Sequence, residues 1–182
     1  MDESVEMKMY VLSADTNHYA TFVPVDEDYD EVFGDLWCKG EELSANWPKP
    51  LEIELDEEDE NKPVGDFGFL FSGSLVLSNR AKELLSGMLS AQDELMQLSL
   101  AGEDYWLLNI RNILNALNAE ATEFNEVGLL VKRVFDSRLV SSSDFFKIEE
   151  DNKTYIYCSE RAVDVMKASG LTGLVFEEVD VV

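Results

Sequence analysis

The chain contains only one histidine and two cysteines among its 182 residues. A metal site built on several histidines is therefore excluded, and any serine–histidine–aspartate or cysteine–histidine arrangement would have to use His18. His18 lies between two predicted strands, which favours an ordinary turn or packing histidine. Cys38 and Cys158 form no Cys-x-x-Cys pair. We expect two buried, reduced thiols, with a single disulfide as the alternative.

Basic residues are also scarce, since 14 Lys and Arg stand against 38 Asp and Glu, a formal net charge of -24. Contacts to phosphate groups need Lys and Arg, so neither nucleic acid nor an anionic membrane is an expected partner. The charge favours a basic partner, a cation or simple solubility. The sequence has no apolar run of about 20 residues and no signal-like N-terminus, so we expect a cytoplasmic protein.

The glycine motifs that bind phosphate are missing as well. Gly65, Gly68 and Gly73 are too widely spaced for a phosphate-binding loop and are not followed by its lysine. They are expected to serve turns, and no cofactor is predicted.

Acidic residues form two dense runs, 26–31 and 56–60, which we expect to be loops or solvated edges because adjacent carboxylates repel one another. An EF-hand loop needs glycine at position 6 and glutamate at position 12. Counted from the start of either run, position 6 is not glycine and position 12 is Trp37 or Phe67. No metal site and no catalytic residue are predicted. Weak cation binding and a carboxylate-dependent hydrolase are the alternatives from a different functional class.

A hydrophobic fraction of 46% is enough for a packed core. Alternating apolar residues, or short segments rich in β-branched and aromatic residues, predict strands. The predicted strands are 5–11, 19–25, 51–55, 94–100, 105–110, 127–135 and 145–148. A short helix is expected over 114–117.

Two segments share one pattern, in which an apolar strand leads into a serine and then an amphipathic helix. The serines are Ser78 and Ser159, each placed to cap the helix that follows, and Gly170 is placed to end the second helix. A strand then returns over 174–176. The predicted fold class is α+β, a mainly antiparallel sheet with two principal amphipathic helices in strand–helix–strand units.

The charge divides the chain unevenly. Residues 1–66 carry 20 acidic and 4 basic residues, a net charge of -16, whereas residues 67–182 carry 18 and 10, a net charge of -8. We therefore expect an acidic, strand-rich N-terminal lobe over 1–66 and an α+β core over 67–182.

Four segments of the second part resemble a known family: 75–78 with the following helix, 104–110, 145–148 and 155–176, the last containing Gly-Leu-Thr-Gly at 170–173. The family is the eleventh-numbered immunity protein family of bacterial polymorphic toxin systems. The resemblance runs from about Phe67 to Val179, and the N-terminal third matches only in general style.

The resemblance implies a non-enzymatic antidote that binds and neutralises a cognate toxin domain encoded nearby. It supplies no catalytic residues and does not identify the toxin. Together with the charge, it suggests a basic toxin captured by the acidic runs, with aromatic side chains as anchors. Trp47 and Trp37 are interpreted as either core residues or such anchors. The predicted toxin-binding residues are Asp26, Glu27, Asp28, Tyr29, Asp30, Glu31, Trp37, Trp47, Asp56, Glu57, Glu58, Asp59 and Glu60.

Overall fold

The computed structural model describes residues 7–26, 38–47 and 49–182. Strands dominate these ranges. The strands are β1 (Met9–Ala14), β2 (Phe22–Pro24), β3 (Leu51–Leu55), β4 (Phe67–Gly68), β5 (Ser74–Ser78), β6 (Glu94–Leu100), β7 (Glu103–Asn109), β8 (Glu123–Phe124), β9 (Leu130–Lys132), β10 (Val134–Phe135), β11 (Phe145–Phe146), β12 (Ile156–Ser159) and β13 (Leu174–Val181). The α-helices of these ranges are α1 (Asn79–Leu85), α2 (Ser137–Val140) and α3 (Glu160–Ala168). Single turns of 3-10 helix occupy Ser44–Asn46, Glu57–Asp59 and Ser86–Met88.

The strands form two large sheets and one hairpin. Sheet I has the order β2-β3-β6-β7-β5-β4, sheet II has the order β10-β13-β1-β12-β11, and β8 pairs with β9 alone. Most neighbours are antiparallel, but β3 pairs with β6 and β10 pairs with β13 in parallel. The α+β class is therefore confirmed, and the mainly antiparallel arrangement holds apart from these two parallel pairs.

Strands from the first 66 residues contribute to both sheets. β1 lies in the middle of sheet II, between β12 and β13, whereas β2 and β3 belong to sheet I. The two-lobe division at residue 66 remains a prediction based on charge, and hydrogen-bonded ladders cross that boundary in both sheets.

A central apolar cluster lies where the two sheets face each other. Alternate residues of a strand point to opposite faces, so Leu75 and Leu77 of β5 enter this cluster while Val76 faces away. Ile156 and Cys158 of β12 enter it from sheet II, and both α1 and α3 pack against it. Two further clusters cover the outer faces of sheet I and sheet II.

Both predicted serine caps are confirmed. Ser78 Oγ accepts a hydrogen bond from the Ala81 N–H, and Ser159 Oγ accepts one from the Ala162 N–H, each at 3.2 Å. These bonds satisfy amide groups that the first turn of a helix leaves unpaired. The repeated sequence pattern is thus two strand–helix units that pack into one core.

The Gly-Leu-Thr-Gly segment ends α3 and joins the two sheets. Gly170 has φ +64, and its N–H donates to Lys167 O at 3.1 Å, as expected for a helix that ends in a left-handed residue. Two residues later, Thr172 O accepts from the Phe67 N–H at 3.1 Å. Sheet II is therefore tied at this point to β4 of sheet I.

Two sequence predictions fail in the middle of the chain. Residues 114–117 are not helical, because the Leu114 N–H donates to Lys147 O and Ala116 O accepts from the Asp136 N–H. These bonds to distant segments hold the backbone extended. The single strand expected over 127–135 is instead two short strands, β9 and β10, preceded by a turn.

Candidate functional site

The first acidic run follows β2 and the second follows β3, and the two runs begin near opposite ends of β3. The Val25 N–H donates to Glu52 O at 3.0 Å, so the chain enters the first run beside the start of β3. The second run begins at Asp56, immediately after β3 ends. The four residue steps from Glu52 to Asp56 separate the two points by about 13 Å. Asp26 is the only predicted binding residue of the first run within the described residues; Glu27, Asp28, Tyr29, Asp30, Glu31 and Trp37 lie outside them.

Two glutamates of β3 connect these ends. Leu51 and Ile53 are buried, whereas Glu52 and Glu54 are exposed. Neither glutamate was among the predicted binding residues, although the alternating pattern of this strand had already indicated an exposed face. Their carboxylates extend the acidic surface along the strand. We call the carboxylates of β3 and the turn after it the acidic strip: Glu52, Glu54, Asp56, Glu57, Glu58 and Glu60.

The register of sheet I places another carboxylate beside this strip. Glu52 pairs with Ser99 of β6, and Ser99 pairs with Asp104 of β7. Side chains of paired residues share a face, so Glu52 and Asp104 lie on the same side of the sheet, one strand apart. Asp104 is exposed and accepts a hydrogen bond from Gln97 Nε2 at 3.0 Å. The same face of sheet I therefore carries exposed carboxylates on β3 and on β7, with β6 between them.

Asp59 is the exception within the second run, because it is buried. Lys62 Nζ lies 2.6 Å from Asp59 Oδ1, and the Thr21 hydroxyl and N–H donate to Asp59 Oδ2 at 2.7 and 3.0 Å. The hydrogen bonds from Lys62 and Thr21 lower the pKa of Asp59 to about 2. This predicted binding residue therefore fixes the acidic turn onto β2 and is not available to a partner in this conformation.

Trp47 also has an internal role. Its side chain is buried in the apolar cluster on the outer face of sheet I, and its Nε1–H donates to Gln97 O at 2.9 Å. Of the two interpretations of Trp47, core residue and exposed anchor, the structure supports the first. The sequence could not decide between them, because the partner of the indole lies 50 residues away.

The two cysteines are buried and unreactive, and the histidine lies on an exposed turn. Cys38 and Cys158 are free and buried, as predicted, and burial raises their pKa values to about 11 and about 12. Both thiols therefore stay protonated near neutral pH.

His18 is exposed on a turn, with Nδ1 2.9 Å from Asp15 Oδ2. This matches the predicted turn histidine.

The described ranges contain neither a metal-binding cluster nor a membrane-spanning helix. No group of three or more His, Cys, Asp or Glu side chains there is arranged to hold a metal ion. The longest helix there has nine residues, and none is long and apolar enough to cross a bilayer.

Comparison with known proteins identifies the family. No curated protein matches the chain. The sequence model described as Immunity protein family (Imm11) matches residues 5–181. The match is longer than the resemblance expected over residues 67–179 and takes in the N-terminal third with its acidic strip. With nearly all of its residues matched, the chain belongs to the Imm11 immunity protein family.

Proposed function

We propose that this chain is a non-enzymatic antidote that binds a cognate toxin, encoded nearby, and blocks its active site or substrate groove in the cytoplasm. Family membership over residues 5–181 is the observation that carries the proposal. An immunity role implies a protein toxin as the partner. The buried, protonated thiols are consistent with binding rather than chemistry.

The acidic strip supports a basic toxin as the partner. Toxins that act on nucleic acids or nucleotides need positive charge where they hold phosphate. A negative surface attracts such a groove during diffusion and raises the association rate by about 10- to 1000-fold at low salt. Within the strip, Glu52, Glu54, Glu57, Glu58 and Glu60 are exposed to such a partner.

Steering alone does not give the affinity that an antidote needs. A Kd of ~1 nM corresponds to about -12 kcal/mol, most of which comes from a few buried contacts. Trp47 is buried in the core, and Asp59 is buried and bonded to Thr21 and Lys62. Contacts that supply the affinity must therefore come from other exposed side chains.

The test measures binding to the protein encoded beside this chain, with association and dissociation rates recorded at low and physiological salt. The test variant combines Glu54→Gln, Glu57→Gln and Glu58→Gln in the acidic strip. The control combines Glu83→Gln, Glu150→Gln and Glu177→Gln, three glutamates that are also exposed but lie elsewhere. Both variants change the net charge equally.

We expect a stable complex with the unaltered chain, slower association for the strip variant and little change for the control. The slowing should be largest at low salt, because salt screens exposed charges. Equal association rates for both variants would move the interface away from the strip. The absence of any complex with the unaltered chain would contradict the proposed function itself.

A further inference from the structure

The three most exposed large apolar side chains in the described part of the chain, Val127, Val131 and Leu129, lie together on one hairpin, which also carries Phe124. This hairpin consists of β8, β9 and the turn between them, and it joins neither large sheet. Val127 is 78% exposed, Val131 65%, Leu129 64% and Phe124 49%. Exposed apolar side chains that cluster in this way mark interaction sites more often than scattered ones do.

The tip of the hairpin is held by one asparagine. Asn125 Oδ1 accepts hydrogen bonds from the N–H groups of Val127 and Leu129, at 3.1 and 2.9 Å. Gly128, between them, has φ +80, a conformation that glycine adopts without strain. These contacts fix the backbone that carries the two apolar side chains.

The base of the hairpin is anchored to the rest of the fold. Thr122 Oγ1 donates to Val134 O at 3.1 Å, and the Thr122 N–H donates to Asn118 O at 3.0 Å. Because the hairpin is already ordered, binding through it costs less conformational entropy than binding through a flexible loop.

Packing within the chain does not explain the apolar tip. Leu130 is the hairpin residue that packs against the cluster on the outer face of sheet II. Val127, Leu129 and Val131 point to solvent instead. An isolated two-stranded hairpin gains little stability from exposed side chains of this kind, so a role outside the folded chain accounts for them better.

The hairpin and the segment before it carry exposed carboxylates. Glu126 directly precedes Val127 at the tip, whereas Glu123, opposite Lys132, and Glu120 lie toward the base, and all three are exposed. The one basic residue of the hairpin strands, Lys132, has its Nζ 3.5 Å from Asp180 Oδ2. A surface that complements this arrangement has an apolar pocket bordered by Lys and Arg side chains.

We infer that the hairpin over residues 123–132 is the anchor by which this chain docks onto its toxin, with Val127 and Leu129 entering an apolar pocket that has a basic border. The inference rests on the proposed function and supplies the contacts that Trp47 does not. Steering by the acidic strip and anchoring by the hairpin are separable, since the first acts on association and the second mainly on dissociation.

The experiment measures the Kd for the neighbouring toxin protein with two matched double variants. Val127→Ser with Leu129→Ser removes the apolar tip without changing charge. Val175→Ser with Leu139→Ser removes two other exposed apolar side chains, which are 46% and 49% exposed. The melting temperature of each variant confirms that it is folded.

We expect the tip variant to bind at least about 30-fold more weakly, mainly through faster dissociation, and the control to stay within about threefold of the unaltered chain. Equal affinity of the two variants would overturn the hairpin inference while leaving the proposed function intact. Failure of the unaltered chain to bind would remove both.

Two further measurements test which molecule binds the hairpin tip. Replacing Glu120, Glu123 and Glu126 together by Gln should slow association at low salt, and an unchanged rate would overturn the basic border. Light scattering of the isolated chain is expected to show the same mass for the unaltered protein and the tip variant. A dimer that the tip variant loses would identify a second copy of this chain as the occupant and overturn docking to a toxin.

Discussion

A side chain on Gly173 would overlap the carbonyl oxygen of Phe67. The two residues come from different sheets, since Gly173 directly precedes β13 of sheet II and Phe67 begins β4 of sheet I. Gly173 also has φ +89, in the region that residues with a side chain rarely adopt. The close approach of the two sheets therefore requires glycine at this position.

Gly173→Ala should destabilise the fold by about 3 kcal/mol or more, because backbone strain at positive φ adds to the overlap with a main-chain atom that cannot rotate away. Urea unfolding followed by circular dichroism measures the loss. Gly87→Ala is the control, since a Cβ at Gly87 meets no atom within 4 Å. If both variants unfold at the same urea concentration, the junction at Gly173 does not determine the packing of the sheets.

The low pKa of Asp59 predicts that the fold loses stability in acid. Its pKa in the folded chain is about 2, below the ordinary value of 3.8. The unfolded chain therefore binds a proton before the folded chain does, and the stabilisation is present above about pH 4 and lost as the pH falls toward 2. Relative to Asp59→Asn, the unaltered protein should lose free energy of unfolding across this window.

The matched control for Asp59 is Glu57→Gln, which changes an exposed carboxylate on the same turn. We expect its pH profile to follow that of the unaltered protein, so that only Asp59→Asn is less sensitive to acid. Parallel profiles for all three proteins would show that the contacts of Asp59 with Lys62 and Thr21 do not stabilise the fold.

Lys147 carries a charge into the interior. It is fully buried, and its Nζ donates to the carbonyl oxygens of Cys38 and Gly73, the latter at 2.5 Å. Burial lowers the pKa of Lys147 to about 8.

Lys147→Met should lower the free energy of unfolding by about 2 kcal/mol at pH 7, because both carbonyl groups lose a buried donor. Lys8→Met, which breaks the surface pair with Glu178, should cost less than about 1 kcal/mol.

The pH dependence of the Lys147 effect has the same sign as that of Asp59, because the pKa is lowered on folding in both cases, but it falls in the alkaline range. Between about pH 8 and 10.5 the unfolded chain holds the lysine proton that the folded chain has released. The unaltered protein should therefore gain stability relative to Lys147→Met as the pH rises through this range. A difference between the two proteins that does not change with pH would mean that Lys147 is solvated in solution.

Local patterns predicted the parts of the fold that depend on local interactions. The alternating apolar and acidic residues of 51–55 marked β3 with its correct bounds, and the two serines marked the starts of the main helices. The alternation along β3 lies within the strand itself, and each helix cap spans three residues, as Ser159 with Ala162 does. A sequence displays such contacts directly.

The roles of individual side chains in the candidate site depended on distant partners. Asp59 looked like its acidic neighbours, but its partner Thr21 is 38 residues away. Lys147 reaches a carbonyl group 109 residues away. Residues 127–135 contain enough apolar side chains for a buried strand, and only the fold leaves Val127 and Leu129 exposed.

An antidote of this kind should inhibit the neighbouring toxin stoichiometrically. Purified chain is titrated into a fixed amount of the toxin while the activity of the toxin is followed. We expect the activity of the toxin to fall in proportion to the added chain and to be abolished near one equivalent, with no turnover of substrate by the chain alone. Full toxin activity in the presence of excess folded chain would contradict it.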